Sequence, residues 1–461
     1  MLTKDANAGD PTAQHELGIR YLLGDGFECD TVEAVEWIGK AAEKKFTPAL
    51  YNYALILLNG IGGNWNPFNA FQLMKEAANK GMREAQYAYG LFYTDNLVVR
   101  KDMNTAYYWL KKSSDNDFTP AAEVISEFMQ SGFNPPASFE LQQTNDSITK
   151  PDTTKNNYQP IIVPSSSLVY LDLTQTQDSI RQIEDDDILK QFITHTKLNV
   201  DSSLTDYNFD NFDFAKYIDT IKLNAEYGSP EAHALIGLLY QKGKYYSKDP
   251  IKAAKHYMMA IRLESPFSPS LLWQLVSKYD LIKDLKEAVN QNNFDAKYVW
   301  AGIHAMGFRS YITDDDALKL LTSASTNSHI PSMIELGYSL INGNLSKLDR
   351  DEGKLWWEKA SELNSIEAKT RLLFLDALQL TNFNNIGISI DYLVHAEDKG
   401  SLLAQIILGY YYEMGFGFIQ NEGRAAQYYR KAASRGSKIA MNALTRLYNK
   451  KRPTDRIFSI D

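Results

Sequence analysis

Seven histidines, a single cysteine and one run of four acidic residues are the places where this 461-residue chain would have to keep its chemistry. No histidines stand in a metal-ligand spacing such as H-E-x-x-H, which sets two imidazoles and a general base on one helical face. Cys29 has no histidine at a repeat-related position to take its proton, so nothing marks it as a nucleophile. One cysteine also rules out an intrachain disulfide or a thiolate cluster for zinc. The acidic run at 184–187 occupies four consecutive positions, which point around a helix rather than to one side, and a solvated face is expected there rather than a metal site. The "GDG" and "GFG" stretches recur with a fixed period and read as turns, not as a P-loop or a dinucleotide fingerprint. The sequence therefore predicts no catalytic residues, no cofactor and no metal.

What, then, would the chain position? With 48 basic and 57 acidic residues its formal charge is -9, so no global cationic field would gather nucleic acid. No stretch has the unbroken apolar run of a membrane span, and the start, "MLTKDANAGDPTAQ", lacks the apolar core of a signal peptide. The expectation is a soluble, cytoplasmic chain, or an exported or periplasmic one if a leader has been removed. At this length the chain needs two or three domains or one elongated array.

An array is what the spacing supports. Gly18, Ala54 and Gly90 are separated by steps of 36, as are Ala301, Gly337, Leu373, Gly409 and Thr445, and a further unit is anchored at Gly237. Between Gly237 and Ala301 lies a unit around Trp273, shortened by eight residues, which should shorten a helix or remove its loop. Twenty-three residues after each anchor comes a small side chain: Ala41, Ala77, Ser113, Ala260, Ala324, Ala360, Ala396 and Ala432. Twelve residues after it comes a capping type: Asp30, Asn66, Asp102, Asp249, Thr313, Asp349, Asn385 and Asn421. Such a side chain accepts from the free amides of the next helix, worth about 1 kcal/mol per cap. Each unit thus reads as helix A, a glycine-bearing loop and helix B, and stacked units bury each other's apolar faces as an all-α solenoid, an α/α superhelix of helix-loop-helix repeats.

The recurring pattern, clearest in "AQHELGIRYLLGDGFECDTVEAVEWIGKAAEKK" at 13–45 and "AQIILGYYYEMGFGFIQNEGRAAQYYRKAASRG" at 404–436, resembles the Sel1-like repeat family, a relative of the tetratricopeptide repeats. The resemblance runs over roughly 10–133 and 213–450, and Trp273, Leu373 and Thr445 depart from it at the anchor. It implies a non-enzymatic scaffold or adaptor for a protein or peptide partner, with a bacterial host-directed effector as the alternative. A peptidoglycan-related partner belongs to the same reading. Some cysteine-rich members have been linked to β-lactam hydrolysis, but they carry disulfides in every unit, and this chain has none.

The organisation expected is a repeat block at 1–133, a connector at 134–211, a second block at 212–450 and a tail at 451–461. The connector begins with Pro, Asn, Thr, Gln and Ser in linker proportions. "LVYLDL" within it suggests a short strand, and "QDSIRQIEDDDILKQFITHTKL" a helix. "TPAAEVISEFMQSGF" at the end of the first block is a helix A without its B, and "DFAKYIDTIKLNAEYG" a helix B without its A, so the two would complete one continuous superhelix with the connector looped out.

In tetratricopeptide-like solenoids helix A lines the concave side. The positions three before and one after the anchor then form an apolar, tyrosine-rich stripe, with His15, Tyr51, Tyr87, Tyr298, Tyr338, Phe374 and Tyr410 as its candidate partner-gripping residues. The competing role for each is packing between adjacent A helices. Membrane insertion and nucleic-acid binding are not expected.

Overall fold

The computed structural model describes residues 1–135, 185–196, 208–278, 281–308, 310–379 and 386–460. The proposed strand at "LVYLDL" and the cap position Asn385 lie outside them. Among the described residues the regular structure is helical. A short α1 (Leu2–Asn7) precedes the pairs α2 (Pro11–Leu23) with α3 (Thr31–Glu43), α4 (Thr47–Asn59) with α5 (Pro67–Asn79), and α6 (Arg83–Leu91) with α7 (Met103–Ser114), then a single α8 (Thr119–Gln130). After the connector come α9 (Asp185–His195) and α10 (Phe214–Glu226), then α11 (Pro230–Lys242) with α12 (Pro250–Arg262), α13 (Ser268–Lys278) with α14 (Leu281–Asn290), and α15 (Phe294–Ala305) with α16 (Asp314–Ser325). Finally α17 (Ile330–Asn342) pairs with α18 (Arg350–Glu362), α19 (Ile366–Gln379) with α20 (Ile386–Asp398), and α21 (Leu402–Met414) with α22 (Glu422–Ser434), before α23 (Lys438–Lys451). None of these helices is long and apolar enough to cross a membrane.

The periodic residues have the jobs their spacing suggests. Gly237 abuts α12 so closely that a Cβ there would stand 2.5 Å from the Tyr257 ring and 3.2 Å from the Ala253 carbonyl. At Gly337 the obstruction is again a ring with backbone behind it, the Trp357 indole and, 2.8 Å from the same point, the Gly353 carbonyl. The helix pair gains close packing at these anchors, which offsets the roughly 1 kcal/mol that a helical glycine costs. The small residues Ala41, Ala77, Ser113, Ala260, Ala324, Ala360, Ala396 and Ala432 are wholly buried. The side chains of Asp30, Asn66, Asp102, Asp249, Thr313, Asp349 and Asn421 all accept from backbone amides in the first turn of the helix that follows. Thr313 and Asp316 form a reciprocal capping box. In the short unit both effects of the missing eight residues appear: α13 and α14 have 11 and 10 residues, and their bounds leave only positions 279–280 between them.

The chain divides into two compact units. Unit 1 comprises 1–177, 412–434 and 439–461; unit 2 comprises 178–411 and 435–438. In unit 1 the last helices pack against the first block. Asn421 donates to the Gly60 carbonyl at 3.3 Å, and Gln427 to the Asn59 side chain at 2.7 Å. Trp65 meets Tyr448 edge-on at 5.1 Å. Arg452 donates to the carbonyls of Leu97 and Val98, and beyond it a 3-10 turn, Arg456–Phe458, seats Phe458 5.1 Å from Phe68 and 5.8 Å from Phe71. The segment read from the sequence as a tail, 451–461, thus carries a buried aromatic, Phe458.

In unit 2 the helix expected in the connector forms as α9. Its Ile188, Leu189 and Phe192 share a core with Phe209, Phe212 and Phe214, and both α9 and α10 pack on α11. The acidic run is not simply a solvated face: Asp185 pairs with Lys242 at 2.8 Å and Asp186 accepts from the Phe209 amide at 2.6 Å, while Asp187 stays exposed.

Candidate functional site

The predicted stripe divides. His15, Tyr51, Tyr87 and Tyr298 are buried, and a buried side chain offers a partner nothing to grip. His15 takes part in a 2.8 Å hydrogen bond with Asn52 and packs edge-on against Phe46; burial lowers its pKa to about 4. Tyr51 is wholly enclosed and burial pushes its hydroxyl far up; Tyr87 lies against Phe118 at 5.3 Å, pushed up to about 12 for the same reason. Tyr298 is enclosed in the core of unit 2. The physical reason is common to the four: the position three before the anchor faces a neighbouring helix across the seam, so large residues there fill it. Tyr338, Phe374 and Tyr410, one residue after the anchor, are only half-buried. They stand on α17, α19 and α21, and all three residues belong to unit 2.

Around this remnant of the stripe unit 2 carries buried ions. Arg262, at the end of α12, lies 4.4 Å over the Tyr338 ring and donates through Nε at 2.9 Å and Nη2 at 2.5 Å to Glu335, whose side chain is 1% exposed. Arg371 donates to Glu367 and, through Nη2, to the Arg262 carbonyl at 3.2 Å. Arg435 is wholly buried: Nε and Nη2 hold both oxygens of Glu231 at 2.9 and 2.6 Å, and further donors meet Gln405 and the Gly400 carbonyl. Burial would raise the Glu231 pKa, but Arg435 beside it holds the carboxylate below its ordinary value. These pairs link residues 73, 109 and 204 positions apart, so a spacing read unit by unit does not reveal them.

Unit 2 also encloses a cavity of about 460 Å³, walled by Ile236, Met259, Ile330, Ile334 and Ile366 with His233 and His256 among them. At its edge Lys255 pairs with Asp295 at 2.9 Å, and Asp295 also meets His329 at 3.0 Å. Burial opposes ionisation of Asp295, yet His329 and Lys255 together hold it well below the usual carboxylate range. His233 and His256 approach each other Nδ1 to Nδ1 at 3.1 Å. Sequence reasoning passed over both. Their signal lay in the register at other positions: Gln14, Gln86 and Gln405 occupy the place of His233 four before the anchor, and Trp37, Trp109, Trp356 and Tyr428 that of His256 nineteen after it.

Among the described residues no three His, Cys, Asp or Glu side chains converge as they would around a metal ion. Cys29 is exposed in its loop.

Comparison with known proteins follows the same units. The Sel1 repeat family matches at residues 11–46, 47–82, 83–118, 230–265, 330–365 and 402–437. Among solved structures the chain is similar to a protective antigen of uropathogenic Escherichia coli strains displaying an SLR fold, with 18% identity and a TM-score of 0.33 over 98% of this chain and 83% of that one. It is also similar to a Sel1 repeat protein from Oxalobacter formigenes, with 32% identity and a TM-score of 0.26 over 27% of this chain and 95% of that one. The units around Trp273, Ala301 and Leu373 fall outside the matched stretches, and the remaining copies of one 36-residue helix-loop-helix unit make this chain a Sel1 repeat protein.

Proposed function

We propose that the chain is a non-enzymatic scaffold that holds a protein or peptide partner on the inner helices of unit 2. One observation carries the reading: of the stripe's seven candidates, the three that keep accessible surface, on the A helices α17, α19 and α21, all belong to that unit. Aromatic side chains with an arginine stacked on one of them are the anchors that dominate partner affinity elsewhere, because they bury large area at small entropic cost. Membership of a repeat family whose units present extended helical surfaces supports the same role. A photo-crosslinking residue placed at Tyr338, Phe374 or Tyr410 should trap a partner that the same residue at exposed Glu358, on α18, does not. Equal adducts at both places, or none at the three aromatics, would remove this surface from consideration.

A further inference from the structure

The unit anchored at Gly237 keeps the repeat's anchor, its cap Asp249 and its small residue Ala260, yet places histidine at two positions that other units fill with glutamine and with aromatic rings. Those two positions face each other across the α11–α12 pair, and the cavity opens on them.

The protons on the two rings can be assigned from their surroundings. A 3.1 Å contact between two Nδ1 atoms holds one proton, so one ring donates and the other accepts. Nε2 of His233 is buried with no hydrogen-bond partner among the described residues, and the backbone acceptor that acts on the ring is the Ala225 carbonyl eight residues earlier. The same step separates Gln14 from the Ala6 carbonyl, to which it donates at 3.1 Å, and Gln86 from the Ala78 carbonyl at 3.2 Å. A bare lone pair facing a carbonyl oxygen would be repelled, so Nε2 of His233 carries the hydrogen. His233 Nδ1 is then the acceptor, and His256 Nδ1 the donor. That leaves Nε2 of His256 with its lone pair bare. Among the described residues no donor reaches this nitrogen, and its ring is held nearly parallel to Tyr240, 5.9 Å away. Burial lowers the pKa of His233 to about 4 and that of His256 well below its ordinary value, so the acceptor stays neutral under physiological conditions.

The rest of the wall says what this acceptor is for. Ile236, Met259, Ile330, Ile334 and Ile366 are apolar. The wall's Lys255 and Glu367 are already paired, with Asp295 and Arg371; Lys222, which pairs with Asp219, and Glu226 lie exposed at the rim, and of the uncharged polar lining Asn364 is exposed and the Ser365 hydroxyl already accepts from the Ala368 amide. An anion would meet a lone pair, and a cation would lose water to a site with no spare charge. An uncharged ring with one hydrogen-bond donor matches both the apolar wall and the bare acceptor on His256. We infer that this cavity receives the phenol of a tyrosine side chain from a partner peptide, its hydroxyl donating to Nε2 of His256. The inference rests on unit 2 being the partner-binding unit, and adds the side chain it selects.

Binding of p-cresol and toluene to the full-length protein, followed by NMR, separates the donor from the ring. The expected result is that p-cresol binds on the order of three- to tenfold tighter than toluene, the worth of one neutral hydrogen bond. In His256→Phe, which keeps a ring against Tyr240, the preference should vanish while toluene still binds. A readout on the unaltered protein guards against a variant that does not fold: the 15N resonance of His256 Nε2 should report an unprotonated nitrogen and move with p-cresol but not with toluene. Equal affinities, or a protonated Nε2 in the free protein, would overturn the inference. N-acetyltyrosinamide should compete with p-cresol; if it does not, the ligand is a free small aromatic and the peptide assignment is wrong. These outcomes do not depend on crosslinking at Tyr338, Phe374 or Tyr410, so either reading can fail alone.

Discussion

Units 1 and 2 are made from the same repeat but are closed differently, by rings and hydrogen bonds to backbone carbonyls in one and by buried ion pairs in the other. In unit 1 the chain's last helices meet its first ones through aromatic rings and close backbone approach, with Asn421 and Arg452 donating to backbone carbonyls: Trp65 on Tyr448, Phe458 between Phe68 and Phe71, and Gly423 so near Gly60 that a Cβ there would stand 2.5 Å from its Cα. In unit 2 the long-range ties are ionic, Arg435 to Glu231 and Arg262 to Glu335, all with little exposure. Apolar closure is non-directional and fills space. Ionic closure is directional, costs desolvation, and fixes a register. The cavity with its histidine pair, and the aromatics that keep accessible surface, belong to the ionically closed unit.

The largest expected effect comes from breaking the ionic closure on one side only. Arg435→Met leaves the Glu231 carboxylate buried without its partner and should destabilise unit 2 by about 3–5 kcal/mol, seen as lost hydrogen-exchange protection in α11. Adding Glu231→Leu should recover most of that loss, since a matched apolar pair replaces the ions. If the double variant is as unstable as the single, the closure is held by shape and not by charge. The apolar counterpart is Phe458→Ala, expected to cost unit 1 about 3 kcal/mol by opening a void against Phe68 and Phe71, with no change in α11 protection.

Titration sharpens the same contrast. Asp95, in unit 1, is buried, and desolvation raises its pKa from 3.8 to about 6 despite Arg430. A raised carboxyl favours the folded state while protonated, so this contribution is present below pH 3.8 and is lost as the pH rises through 6, by at most about 3 kcal/mol. His233 in unit 2 runs the other way: its pKa is lowered from 6.5 to about 4, so its contribution is present above pH 6.5 and is lost as the pH falls toward 4. His15 does the same in unit 1, which is why the comparison must be between variant and parent. Asp95→Asn keeps an acceptor for the Leu97 amide, 2.8 Å away in the parent. It should stabilise unit 1 at pH 7 and lose that advantage by pH 4. A difference that does not change with pH would show that Asp95 is not the group concerned.

What the sequence could disclose follows from what repeats. Anchors, caps and small residues recur because every unit must solve the same helix-pair problem, so Gly237, Asp249 and Ala260 can be read from spacing alone. The closures cannot: the place of Glu231 six before the anchor also holds Glu84 and Glu367, and nothing in that spacing says that Glu231 alone meets Arg435 across 204 residues. The stripe was legible as a row of positions but not in its exposure: the same large side chain three before an anchor fills a seam, as Tyr51 does, and only the folded seam shows it. Missing anchors also proved a partial guide. Trp273 does stand out, 58% exposed, but the histidine pair sits in a unit whose anchor glycine is intact, and it is visible only when the positions four before and nineteen after the anchor are aligned too.

The smallest effect is the control for the comparison. Asp102 caps α7 in unit 1 and Asp349 caps α18 in unit 2, each with its side chain accepting from the first-turn amides at about the same distance, 3.0 Å to Asn104 and 3.0 Å to Glu352. Both caps are local and exposed, and Asp102 accepts in addition from the Thr105 amide and hydroxyl. Asp102→Ala and Asp349→Ala should therefore each cost about 1 kcal/mol, and equally. Equality would locate the difference between the units in their closures, where ions replace rings. A cap worth several times more in one unit than in the other would mean that the closure reaches down into the single repeat, and that the units differ in their building block and not only in how the block is tied.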